Sequence, residues 1–138
     1  MTSLLEPLDA LEADVAAGAG ADRALDARFA ELVLGWREVR LVPFFLYYEG
    51  TRDVSDTPTT GPIRDYTHPE AGHGALFAAA RALWPGEALR VEVWQSNAGP
   101  QALAMFESRR EERHPDLCRA LMGAMIAAKR AEIAGGGK

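Results

Sequence analysis

The stretch Leu89-Arg90-Val91-Glu92-Val93-Trp94-Gln95-Ser96-Asn97-Ala98-Gly99-Pro100-Gln101-Ala102-Leu103-Ala104-Met105-Phe106 decides the fold class. Its first half alternates Leu89, Val91 and Val93 with Arg90, Glu92 and Trp94, the period of two that marks a half-buried strand. Residues 96–100 are turn formers. Ala102, Ala104 and Phe106 then alternate with Leu103 and Met105 on the way back. The reading is an antiparallel hairpin, strands 88–95 and 101–107 around a five-residue loop. The charged residues 107–113 leave the sheet.

Working outward, the flanks switch to helical spacing. Residues 115–132 open at Pro115-Asp116 and place Leu117, Leu121, Met125 and Ala128 on one face, with Cys118 and Met122 beside it. Upstream, Thr67-His68-Pro69-Glu70 matches a capping box with Pro at the first helical position, and Leu76, Ala79 and Leu83 extend a helix over 68–84. A helix over 22–34 starts on an Asp22 cap, carries Leu25, Phe29, Leu32 and Val33, and stops at Gly35, with Trp36 folding back onto the stripe. At the start, the capping box Ser3-Leu4-Leu5-Glu6 and the spacing of Leu8, Leu11 and Val15 predict one more helix, ended by Gly18-Ala19-Gly20.

Residues 38–48 form the third expected strand. Both alternating sets are apolar: Val39, Leu41, Phe45 and Tyr47 on one side, and Val42, Phe44, Leu46 and Tyr48 on the other. Such a strand is normally covered on both faces. Pro43 cannot donate to a ladder, so the strand lies at an edge or breaks there. Residues 49–66, with Thr51, Ser55, Thr57, Pro58, Thr59, Thr60, Gly61 and Pro62, read as a long polar loop. The expected fold is therefore α+β: a small antiparallel sheet of about three strands between helices, with an extra N-terminal helical arm. Residues 1–20 would be the arm and its Gly-rich linker, 21–134 one α/β/α sandwich domain, and 135–138 a flexible tail.

The 138 residues, 48% hydrophobic and 25% charged, suit one globular domain and argue against a disordered chain. The single cysteine excludes an internal disulfide and any four-cysteine metal site. The net charge of −5 argues against general affinity for nucleic-acid phosphates. All of that excess lies in residues 1–34, where Glu6, Asp9, Glu12, Asp14, Asp22, Asp26 and Glu31 face only Arg23 and Arg28. A solvated helix face or a partner surface would account for it. No basic leader and no apolar run of spanning length occurs, so the expectation is a cytoplasmic protein without a membrane segment.

No catalytic motif is present: there is no phosphate-binding glycine loop, no Gly-x-Ser-x-Gly elbow and no His-Glu-x-x-His. Asp65, His68 and His73 read as surface or capping groups rather than metal ligands. His114 and Cys118, four apart, have the spacing of a base and nucleophile. No third group orients them, and a free cysteine is more often a core residue. Arg109, Arg110 and Arg113 are diluted by Glu107, Glu111 and Glu112. The candidate binding set is Tyr47, Tyr48, Arg52, Arg64, Tyr66 and His68, which flank the polar stretch. Tyrosine with arginine is the composition of binding hot spots, and paired arginines hold carboxylates or phosphates.

Three segments resemble one family. Leu25-Asp26-Ala27-Arg28-Phe29-Ala30-Glu31-Leu32-Val33-Leu34-Gly35-Trp36, then Asp65-Tyr66-Thr67 with a helix ending Ala82-Leu83-Trp84, then Leu117-Cys118-Arg119-Ala120-Leu121 are similar in order and spacing to the phage ABA sandwich domain family, over residues 22–130. The N-terminal arm and the long 38–62 segment depart from that pattern. The resemblance implies a sandwich fold in a phage or prophage protein and brings no catalytic residues or cofactor. Three functions follow as expectations. The first is a non-enzymatic accessory protein binding a protein partner such as a host defence component. The second is a binder of a small anionic, nucleotide-like ligand. The third is a hydrolase-type enzyme built on His114 and Cys118.

Overall fold

The computed structural model describes residues 5–43, 47–107 and 111–135. Along the chain run α1 (Leu5–Ala17), α2 (Arg23–Leu32), β1 (Arg37–Val42), β2 (Tyr47–Val54), β3 (Thr57–Pro62), α3 (Gly72–Leu83), β4 (Leu89–Ser96), β5 (Gly99–Phe106), β6 (Glu112–His114) and α4 (Leu117–Ala134). The class is α+β. The strands divide into two antiparallel sheets, β1-β2-β3 and β4-β5-β6, where the sequence pointed to one.

The first sheet corrects the reading of 49–66 as a loop. Those residues are most of β2 and all of β3, paired from Glu49↔Pro62 to Val54↔Thr57. Ser55 and Asp56 close the hairpin with φ of 52° and 66°. Paired left-handed residues match the strand twist, and Asp tolerates that region without being Gly. The stretch 38–48 breaks at Pro43, one of the two outcomes expected there, and β1 before it is an edge strand. It is not covered on both faces: Leu41 is 47% exposed. Phe44, Phe45 and Leu46 lie outside the described residues.

The second sheet holds the expected hairpin with a tighter connection. Ser96 pairs with Gly99, so the turn is Asn97-Ala98 rather than five residues. The chain also returns after residue 107. Ala102, Leu103 and Ala104 pair with His114, Arg113 and Glu112, making β6.

The helix ends follow side-chain chemistry. Asp22 accepts the Leu25 N–H at 3.1 Å and opens α2. Asp116 accepts the Cys118 N–H at 3.0 Å and opens α4. Gly35 takes φ 80°, a cheap stop for glycine alone, and Trp36 turns back with its N–H on the Ala30 carbonyl. The start of α3 differs from expectation. It begins at Gly72 without a side-chain cap, because Thr67 is engaged elsewhere. The capping box at Ser3 lies outside the described residues.

The core forms where α4 packs on β5 and on α1. Leu8, Leu11 and Val15 of α1 are buried in the same cluster as Phe29, Phe106, Leu121 and Met125. The N-terminal helix is therefore present as expected, but its apolar face belongs to the common core. Three of its four acidic side chains are paired with arginines of α2 and α4. Arg130 reaches Asp9 at 2.8 Å and Glu12 at 3.0 Å, and Arg28 holds Asp14 at 2.5 Å. Arg119, only 3% exposed, donates to the carbonyls of Asp14, Val15 and Gly20 at 3.0–3.3 Å. Its charge sits on the negative end of α1. Among the described residues no helix is long and apolar enough to cross a membrane.

Candidate functional site

A tether fixes the segment between β3 and α3. The Thr67 hydroxyl accepts the Asp22 N–H at 2.7 Å and donates to Asp26 Oδ1 at 2.8 Å. The Thr67 N–H also donates to Asp26 Oδ1, at 2.8 Å. Asp26 is 1% exposed, and burial raises its carboxyl pKa although Thr67 and Arg23 favour the charged form. The segment is pinned from the other side by Gly72, because a Cβ there would collide with the Tyr66 carbonyl. Only glycine allows α3 to start so close to residues 65–66.

This tether brings Arg64 and Tyr66 to the face of α3, where Arg52 arrives from β2. The Tyr66 ring packs on Phe29 at 5.5 Å and is almost fully buried. Burial pushes its phenol up to about 12, against the pull of Arg52 and Arg64. It is therefore a neutral hydroxyl at physiological pH. Arg52 shares a strand face with Tyr48 and Gly50. Gly50 leaves room for the Trp36 ring, and the Arg52 guanidinium lies over that ring at 5.1 Å.

The result is a cleft in two joined parts. One, of about 440 Å³, is lined by Arg52, Arg64, Tyr66 and the small residues of α3, among them Gly74, Ala75 and Ala79. The other, of about 520 Å³, continues past Trp36 to Arg23 and Asp65. Arg23 is already engaged, with Asp65, with Asp26 at 3.4 Å and with the Ile63 carbonyl at 3.3 Å. Arg52 and Arg64 have no carboxylate partner among the described residues. The alanines of α3 put no large side chain into the space, so two guanidinium groups, a phenol and an indole face a small-residue floor. That arrangement can take a planar or tetrahedral anion by charge-assisted hydrogen bonds.

Of the six candidate residues, the fold brings Arg52, Arg64 and Tyr66 together. Tyr47 and Tyr48 lie at the start of β2 opposite Val42 and Leu41 and do not line the cleft. His68 serves the backbone: its Nδ1 accepts the N–H groups of Glu70 and Ala71 at 3.2 Å. Trp36 and the small face of α3 were missed. The signal for the latter was the run of Ala and Gly at 71–82 with only Leu76, Phe77 and Arg81 as long apolar or charged side chains.

The other constellations do not assemble. His114 Nδ1 accepts the Asp116 N–H at 2.9 Å, and the Cys118 thiol donates to the His68 carbonyl at 3.4 Å. Burial, with the negative charges of Asp116 and Asp26, pushes the Cys118 thiol up to about 11, away from thiolate chemistry. Among the described residues no group of three acidic, His or Cys side chains could hold a metal ion. The chain matches no family model, no curated protein and no solved structure.

Proposed function

We propose that this is a binding protein that holds a small ligand bearing a carboxylate or phosphate in the Arg52–Arg64 cleft. The observation that carries the reading is the pair of arginines, without carboxylate partners among the described residues, above the alanine face of α3. Arg64 is exposed and Arg52 half-buried, so both guanidinium groups can reach an anion entering the cleft, and the Trp36 ring beneath Arg52 holds that guanidinium in place. A thermal-shift titration with inorganic phosphate, citrate and ADP tests it. At least one probe should raise the melting temperature, and Arg64→Ala should abolish that rise. No shift from any of the three at roughly 10 mM would overturn the reading.

A phage or prophage accessory role, acting on a host protein, is the alternative carried by the family resemblance of residues 22–130. The acidic N-terminus gives it less support than its charge implies, because Arg28 and Arg130 hold Asp9, Glu12 and Asp14. A hydrolase built on Cys118 has the least support, given that thiol's burial.

A further inference from the structure

The strand edges of the two sheets are protected unequally. In β3, Pro58 and Pro62 remove backbone donors, and β1 carries a register shift between Arg37 and Arg40 with Glu38 at φ 54°. Proline and bulges are the usual guards against edge-to-edge pairing. β6 is three residues long. β4 has none of these: eight residues, unbroken register with β5, no proline, and Val93 63% and Trp94 37% exposed.

The register says which backbone groups face outward. The Glu107 N–H donates to the Ala88 carbonyl at 2.9 Å, continuing the β4–β5 pairing. Pro100, opposite Gln95, cannot donate to it. Hydrogen-bonded pairs alternate along an antiparallel ladder. Arg90, Glu92, Trp94 and Ser96 therefore bond to β5, while Leu89, Val91, Val93 and Gln95 present their N–H and C=O groups at the free edge.

We propose that this edge pairs with the same edge of a second copy of the chain, antiparallel about a two-fold axis at Val91. In that register Val91 meets its counterpart, and Leu89 meets Val93 of the second copy. All of these residues have outward backbone groups, so each pair can exchange both hydrogen bonds. Arg90 then faces Glu92 of the second copy in the closer, non-hydrogen-bonded positions, and the symmetry repeats the contact. Shifting the axis to Glu92 would set two carboxylates face to face. Opposite charges across strands stabilise and like charges oppose, so Arg90-Val91-Glu92, whose two charged groups pair with each other within one chain, favours the Val91 register over the Glu92 one. The joined sheet would have six strands and would give Val93 apolar company on the α4 side.

Sedimentation of the full chain over a concentration series up to about 1 mM tests this. The expected result is a monomer–dimer equilibrium. Arg90→Glu and Glu92→Arg alone should each weaken the dimer roughly tenfold, since each sets like charges opposite twice. The double exchange Arg90→Glu/Glu92→Arg should restore it. Both side chains are well exposed, 69% and 44%, so the variants retain the fold, which far-UV circular dichroism verifies. A chain that stays monomeric throughout overturns the proposal. So does a dimer indifferent to the single exchanges, or one that the double exchange fails to recover.

Discussion

Arg119 and Arg52 both reach the protein interior, and they are held in opposite ways. Arg119 is buried between α4 and the end of α1, with two of its nitrogens on three carbonyls. Arg52 rests on Trp36 with no carboxylate partner among the described residues and opens on a cleft. The same division runs through their surroundings. Around α1, Arg28 of α2 holds Asp14, and Arg130 of α4, at the α1–α4 seam, holds Asp9 and Glu12. At the cleft, Arg64 joins Arg52 without such a partner among the described residues. Guanidinium groups that close the fold are matched through their terminal nitrogens by carbonyls and carboxylates, and the proposed ligand site lies where two such groups are without a carboxylate partner among the described residues.

The largest effect is expected at the wall common to both α3 and the cleft. Gly72→Ala forces the Tyr66 carbonyl away and should cost about 3 kcal/mol in urea unfolding; a change below about 0.5 kcal/mol would mean the segment yields freely. Next comes the seam. Arg119→Met keeps the stem but removes the guanidinium donors from the carbonyls of Asp14, Val15 and Gly20, of which Asp14 keeps the Gly18 N–H, and should cost about 2 kcal/mol. Hydrogen exchange of the α1 amides should quicken more than that of β5, and uniform quickening would show the seam to be inseparable from the rest.

Arg52→Ala should lower stability by only about 0.5 kcal/mol, the scale of a cation–π contact, while removing ligand-induced stabilisation. A large loss of stability would place Arg52 with Arg119 as a structural residue and erase the contrast. The smallest effect is a slope with pH. The native carboxyl of Asp26 lies above its ordinary value of 3.8. The folded state then keeps that proton longer than the unfolded chain. The stability it contributes is full below about 3.8 and is lost as pH rises through the raised native value. Asp26→Asn, which preserves the acceptor for Thr67, should flatten that part of the stability–pH curve; an unchanged slope would assign it to other groups.

Local chemistry made much of this legible. Asp22 and Asp116 cap the helices that their positions announced, Gly35 ends α2 as its freedom allows, and Cys118 is buried in the core. Where the outcome depended on a distant partner, the pattern misled. β3 has no apolar alternation because ladder bonds to β2 define it, and Thr57, Thr59 and Thr60 are exposed on it. Thr67 looks like a helix cap, yet its hydroxyl is taken by Asp22 and Asp26 some 41 to 45 residues earlier. Half of the candidate site was legible for the same reason. Arg52, Arg64 and Tyr66 flank one stretch of chain, whereas Trp36 and the alanines of α3 join them only through the fold.

The seam also bears on how the chain comes together during synthesis. Arg119 meets the Asp14 carbonyl across a separation of 105 residues, and Arg130 meets Glu12 across 118. Until α4 has left the ribosome, the leucines of α1 have only α2 for cover and its final carbonyls lack the Arg119 cation. Contacts of such separation are closed late and slow folding. α1, made well before α4, would thus be among the last elements to settle, and a nascent chain stalled before residue 117 should be the form most in need of a chaperone.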